Sequence, residues 1–116
     1  MNPMINTVGA ALLATMSTLA AAADNPLSVH VLNLENGLPS PDVMVTLERL
    51  QGTQWQSLSE GVTNEQGRIT GLYPEGQHLT DGTYRVTFKT GDWFAQQQAK
   101  TFFPEVPVIF EVDASV

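Results

Sequence analysis

Few side chains in this sequence could carry acid–base or anion chemistry. It contains no cysteine, two histidines and five lysines and arginines in 116 residues. His30 alternates with the apolar residues Val29 and Val31, so in a strand it lies on the face opposite to them. An exposed imidazole there can exchange protons near neutral pH. A surface histidine without a role fits the same pattern, and the residue types alone leave both interpretations open.

Arg68 is the second candidate, because it directly follows the turn signal Asn64-Glu65-Gln66-Gly67. A guanidinium carries a permanent charge and a planar set of donors that match carboxylate or imide-like oxygens. A solvated turn residue that pairs with a nearby acid is the alternative. The second histidine, His78, lies in a stretch that contains Pro74 and Gly76, and we expect it to be a solvated loop residue.

Composition speaks against several other kinds of site and partner. Two scattered histidines without a ligand-spaced carboxylate pair do not make a zinc site, and no cysteine is available for disulfides or thiolate sites. The sequence has no Gly-rich phosphate loop and no nucleophile elbow. We therefore expect neither a metal nor a cofactor. The formal net charge of −7 disfavours nucleic acid and anionic membrane surfaces, because both would repel it.

The N-terminal residues 1–23 have the pattern of a secretory signal peptide. Apolar and small residues dominate from Val8 to Leu19, and no charged side chain precedes Asp24. Ala21 and Ala23 supply the small residues of a cleavage site, although a basic n-region is missing. The apolar run is too short to span about 30 Å of hydrocarbon as a helix. We expect cleavage after Ala23, export, and a single domain over residues 24–116.

The remaining sequence is dominated by alternation of apolar and polar residues, which predicts half-buried strands. Six short strands with turns between them favour an all-β sandwich or barrel. The strong patterns cover 27–31, 43–48, 84–89 and 106–112, and the weaker ones cover 55–60 and 68–72.

Turn-forming residues separate these strands. The segment 36–41, with one Gly and two Pro, predicts a tight reversal. Asn64–Gly67 predicts a turn that joins the two weaker strands as a hairpin, and 81–82 predicts a third turn. The one helical segment is 92–100, with Asp92 as its N-cap and Pro104 blocking its extension.

The order of these segments resembles the transthyretin-like family, and within it the exported bacterial 5-hydroxyisourate hydrolases. The resemblance implies a transthyretin-like two-sheet β-sandwich with one short helix. It also implies a periplasmic location and a homotetramer whose sites line a central channel. The matching pieces cover nearly all of the chain after residue 24, namely Leu27–Asn33, Gly37–Pro39, Val43–Leu47, Thr63–Arg68, Tyr84–Phe94 and Phe102–Val108.

Two positions in this resemblance bear on activity. The hydrolases have histidine in the first strand and arginine after the glycine of the turn, where the hormone-carrying transthyretins have lysine and an acid. His30 and Arg68 match the hydrolases at both positions. The implied reaction opens a ring amide bond of 5-hydroxyisourate, a product of urate oxidation in purine degradation. The resemblance thus implies that His30 handles the proton of the attacking water. Arg68 is implied to anchor the substrate and stabilise the developing charge.

The family pattern continues beyond the predicted strand 106–112. It adds a second catalytic histidine, two last strands and a Tyr-Arg-Gly-Ser tail, none of which is present up to Val116. We therefore expect a C-terminally truncated sandwich that lacks the last two strands and has impaired hydrolase activity. One alternative is a non-catalytic binding or scaffold module whose missing strands come from a partner. Another is a general adhesion-type β-sandwich, which fold analogy alone supports.

Overall fold

The computed structural model describes residues 25–113 and residue 115, so the predicted signal peptide and its cleavage site lie outside the described residues. Among the described residues, every regular element except one short helix is a strand, which confirms the all-β prediction. In chain order the elements are β1 Val29–His30, β2 Leu32–Asn33, β3 Leu38–Pro39, β4 Met44–Gln51, β5 Gln54–Val62, β6 Arg68–Ile69, β7 Gly82–Phe88, α1 Thr90–Gln96 and β8 Val106–Val112.

One layer of the fold is a four-stranded antiparallel sheet in the order β5-β4-β7-β8. Its register places Leu47 beside Val86, and Tyr84 beside Phe110. Along β4 and β7 these apolar residues alternate with polar ones, so one face of the sheet turns inward. The strong strand predictions at 84–89 and 106–112 are confirmed within a residue or two at each end.

The second layer consists of two short ladders, β1 with β6 and β2 with β3. Leu27, Val29, Val31 and Ile69 pack from this layer against the buried core of the four-stranded sheet. The core itself comprises seven apolar residues that are at most 5% exposed, namely Val43, Val45, Leu47, Leu72, Tyr73, Tyr84 and Val86. Full burial of one such aliphatic side chain stabilises the fold by about 1.5–3 kcal/mol. Most of this core belongs to the four-stranded sheet.

The helix differs from its prediction at both ends. It begins at Thr90 and ends at Gln96, and the position before it is Lys89, which makes no side-chain capping hydrogen bond. Asp92 therefore lies in the first turn, and its assignment as N-cap is wrong. Tertiary contacts outweigh the local signal, because the indole Nε1 of Trp93 donates to the carbonyl of Pro41 at 2.7 Å. No helix in the described part of the chain is long and apolar enough to cross a membrane.

The turn at Asn64–Gly67 is confirmed, since the Gly67 N–H donates to the Asn64 carbonyl at 2.8 Å. The predicted hairpin between the two weaker strands is wrong. β5 pairs with β4, whereas β6 pairs with β1 in the other layer. The turn thus carries the chain from one layer to the other. Periodicity fixes the faces of a strand but not its neighbour, and the neighbour depends on contacts distant in sequence.

The reversal predicted at 36–41 is also present, but part of it is a strand. Leu38 and Pro39 pair with Asn33 and Leu32, so a short hairpin forms around Gly37, whose φ is +74°. Pro39 is tolerated because its ladder is only two residues long and exposed.

Candidate functional site

The two candidate residues lie directly opposite each other on neighbouring strands. In the β1–β6 ladder, His30 is the partner of Arg68 and Val29 is the partner of Ile69. Directly opposed residues of an antiparallel pair share one face of the sheet. Val29 and Ile69 are half-buried against the core, and His30 and Arg68 are exposed. The fold therefore brings an imidazole and a guanidinium together on the outer face of the second layer.

A tightly packed glycine holds the turn that precedes Arg68. Gly67 has a φ of +73°, and a Cβ atom on it would lie 2.5 Å from the Val31 carbonyl oxygen. The Val31 N–H donates to the Gly67 carbonyl at 2.8 Å, which extends the β1–β6 ladder by one bond. A glycine is required here both by the positive φ and by this close approach of two backbones.

Arg68 differs from most of the other lysines and arginines in the partners of its charged group. Three of them are engaged: Arg85 pairs with Glu48 at 2.7 Å, Lys89 pairs with Glu105 at 2.9 Å, and Arg49 donates to the Asp81 carbonyl at 2.7 Å. Among the described residues, no carboxylate forms an ion pair with Arg68. Its guanidinium is consequently available to an anionic or carbonyl-bearing ligand, in a chain of net charge −7.

This arrangement combines the two groups that addition of water to a carbonyl requires. An imidazole can take a proton from water and return it to a leaving group. A fixed cation can hold the oxygen on which negative charge develops. His78, by contrast, is exposed in the loop between β6 and β7, and no described contact joins it to the pair. Among the described residues, no group of three or more metal-ligating side chains could hold a metal ion.

Sequence reasoning missed a role for Asn64, whose side chain forms hydrogen bonds both within the turn and to Arg68. The Asn64 side-chain oxygen accepts hydrogen bonds from the Gln66 and Arg68 N–H groups, at 2.9 and 3.0 Å. An asparagine four residues before a candidate arginine, at the start of a turn, was the available signal, because asparagine side chains bond to the backbone two residues on.

The structure also contains a cavity of about 340 Å³ between the β2–β3 region and α1. Apolar side chains supply most of its lining, including Val31, Val43, Trp93 and Phe94. Among the described residues that line it, Glu35 is the only acidic or basic one, so this part of the structure lacks the pair that β1 and β6 present.

The two-layer fold, with one short helix among the described residues, is that of a transthyretin-like β-sandwich. Residues 27–116 match the model of the HIUase/Transthyretin family, and the chain belongs to this family.

Comparisons with individual proteins agree. The chain is 43% identical over 109 residues to a 5-hydroxyisourate hydrolase of Salmonella dublin. The aligned region covers 94% of this chain and 79% of the relative. The structure of Klebsiella pneumoniae 5-hydroxyisourate hydrolase is similar with a TM-score of 0.66 and 33% identity, over 78% of this chain and 79% of that one. Transthyretin from Sparus aurata is similar with a TM-score of 0.69 and 30% identity, over 75% of each chain.

Proposed function

We propose that this protein is a hydrolase that opens the ring of 5-hydroxyisourate. The observation that carries the proposal is the pairing of His30 with Arg68 across β1 and β6, on an exposed face and with no carboxylate partner for the arginine among the described residues. The 43% identity to a 5-hydroxyisourate hydrolase over 94% of the chain supports the choice of substrate.

The two residues have complementary roles in this mechanism. Water adds to the ring carbonyl carbon, and the His30 imidazole takes its proton. The Arg68 guanidinium binds the substrate and faces the carbonyl oxygen, which becomes negatively charged as the carbon becomes tetrahedral. When the tetrahedral intermediate collapses, the carbon–nitrogen bond breaks. The leaving nitrogen then takes the proton back from His30, so that one water is consumed and one carboxyl group is formed.

The direct test follows the ultraviolet absorbance of freshly generated 5-hydroxyisourate against its spontaneous decay. We expect the purified protein to accelerate the decay, and His30→Ala and Arg68→Ala to lower kcat/KM by at least about a hundredfold. Arg68→Lys keeps the charge but loses the planar fork of donors, so we expect it to recover only part of the activity. Wild-type turnover by His30→Ala would exclude the assigned proton transfer.

A non-catalytic binding module is the second candidate, and the similarity to Sparus aurata transthyretin favours it. The two functions differ in what they require of His30, since binding of a small molecule needs no proton acceptor. A protein that binds the substrate or its stable analogues but does not accelerate ring opening would support the binding module.

The proposal includes export to the periplasm and assembly into a homotetramer. The small residues Ala21 and Ala23 before the first charged residue support cleavage and export. Mass spectrometry of protein from the periplasmic fraction is expected to find a chain that begins at Asp24.

Exposed apolar side chains such as Leu32, Val108 and Ile109, which are 46–60% exposed, support association into a tetramer. Light scattering tests it, and a monomer at micromolar concentration would contradict the tetramer.

A further inference from the structure

Asn64 bonds to both main-chain polar groups of Arg68. The Arg68 N–H donates to the Asn64 side-chain oxygen at 3.0 Å, and the Asn64 N–H donates to the Arg68 carbonyl at 2.9 Å. The same side-chain oxygen accepts from Gln66, and the Asn64 carbonyl accepts from Gly67. A single residue thus holds the main chain of the turn and of the first residue of β6.

These bonds determine the kind of pairing that His30 and Arg68 make. The N–H and C=O of Arg68 point to Asn64, while the adjacent bond from Val31 to Gly67 crosses to β1. This is the pattern of a non-hydrogen-bonded antiparallel pair, whose Cα atoms are about 4.5 Å apart and whose side chains are closer than in the alternating type. Asn64 supplies the hydrogen bonds that β1 cannot make to Arg68 in this register.

We propose that Asn64 is a positioning residue that sets the place of the Arg68 guanidinium relative to His30. This inference rests on the proposed hydrolase function. β6 contains only Arg68 and Ile69, so its ladder contributes little to the alignment of the arginine. Among the described residues no carboxylate holds its guanidinium. The backbone of Arg68 is therefore the fixed point from which its side chain reaches the substrate.

The chemistry of the Asn64 side chain suits this task. An amide oxygen has two lone pairs and can accept from two N–H groups at once. Aspartate has the same reach and the same acceptor capacity, whereas glutamine has the same amide group one methylene farther away. A control of the same type is Asn36, whose side-chain oxygen accepts from the Leu38 N–H at 2.9 Å in the β2–β3 turn.

The experiment compares Asn64→Ala, Asn64→Asp, Asn64→Gln and Asn36→Ala in the ring-opening assay. A displacement of about 1 Å in a positioned group can cost up to about a hundredfold in rate. We expect Asn64→Ala and Asn64→Gln to lower kcat/KM by about ten- to a hundredfold, with a raised KM. Asn64→Asp should recover most of this loss, and Asn36→Ala should stay within about twofold of wild type.

The split between KM and kcat separates positioning from a general loss of folded protein. Unfolding lowers the active fraction, and hence the apparent kcat, without changing KM. A lowered apparent kcat with an unchanged KM in Asn64→Ala would therefore overturn the proposal. Activity of Asn64→Ala within about twofold of wild type would overturn it as well.

A measurement without substrate separates this inference from the proposed function. A non-hydrogen-bonded antiparallel pair brings its two Hα atoms together, so NMR of the wild type should show a strong nuclear Overhauser effect between the Hα atoms of His30 and Arg68. Loss of this effect in Asn64→Ala, with retention in Asn64→Asp, supports the positioning role even if the wild type proves inactive. Its retention in Asn64→Ala would overturn the role.

Discussion

The four-stranded sheet and the β1–β6 ladder use strand pairing in opposite ways. The sheet has strands of seven to nine residues, and β4, one of its two inner strands, supplies the buried Val45 and Leu47. The ladder has two residues in each strand and presents one face to solvent. Stability is concentrated in the first region, and the groups that can do chemistry are exposed in the second. Burial of unpaired polar groups would destabilise the fold. Because of this division, the site can carry such groups on an exposed surface.

The cations of the two regions show the same contrast. On the sheet, Arg85 pairs with Glu48 and its guanidinium carbon lies 4.4 Å from the centroid of the Trp55 ring. Its donors and its charge are already engaged by the protein. In the ladder, no carboxylate among the described residues pairs with Arg68. Arg85 and Arg68 thus differ in their neighbours and not in their exposure alone. The neighbours of Arg85 engage it in the sheet, whereas Arg68 is available to a ligand.

The largest expected effect tests where the stability lies. Leu47→Ala removes a side chain that is fully buried in β4, so we expect the free energy of unfolding in urea to fall by about 2–5 kcal/mol. The control is Leu34→Ala, because Leu34 is 96% exposed and should change stability by less than about 0.5 kcal/mol. Equal losses in the two variants would mean that the sheet does not dominate the stability of the fold.

The next effect tests how the ladder is held. Gly67 and Gly52 both have positive φ, but a Cβ atom on Gly52 meets no atom within 4 Å. Gly52→Ala should therefore cost about 1 kcal/mol for its left-handed backbone alone. Gly67→Ala adds the clash with Val31, and we expect a loss of about 3 kcal/mol, measured by urea unfolding.

The same pair of variants separates the two regions in the activity assay. Gly67 directly precedes Arg68, whereas Gly52 lies between β4 and β5. We expect Gly67→Ala to lower kcat/KM and Gly52→Ala to leave it unchanged. Equal effects of both variants on stability and activity would show that the close approach of Gly67 to Val31 has no particular role.

The smallest effect concerns the buried Tyr73, which lies in the loop between β6 and β7. Tyr73 lies 6.2 Å from Tyr84, ring centroid to ring centroid, and burial raises the pKa of its phenol, with the neighbouring Tyr84 hydroxyl adding to the shift. A raised pKa in the folded state means that this contribution to stability is present below about pH 10 and is lost as the pH rises through the folded pKa.

Tyr73→Phe removes the titrating group, so the free energy of unfolding should fall less steeply with pH above about 10 than in the wild type. Urea unfolding between about pH 9 and 11 measures the slope. An unchanged slope would show that the ionisation of Tyr73 is not linked to folding.

Much of the fold could be predicted because its signals are local. The alternation from Val106 to Val112 predicts β8 at the bounds that the structure has. Gly67 predicts a turn before Arg68, and its positive φ explains why a glycine stands there. The helix start was wrong at Asp92, because the hydrogen bond from Trp93 to Pro41 joins residues 52 positions apart. Helix propensities describe single residues and their near neighbours, so they take no account of such a long-range contact.

The residue types left the roles of His30 and Arg68 open, and the family resemblance singled these residues out. The sequence by itself determined which faces of the strands are apolar and where the chain turns. These properties depend on residue type and on spacings of a few residues. Only the tertiary structure decided that β6 leaves its sequence neighbour β5 and pairs with β1. Partner choice between strands depends on packing between distant segments. This pairing places Arg68 opposite His30. The main-chain N–H and C=O of Arg68 then form their hydrogen bonds with Asn64.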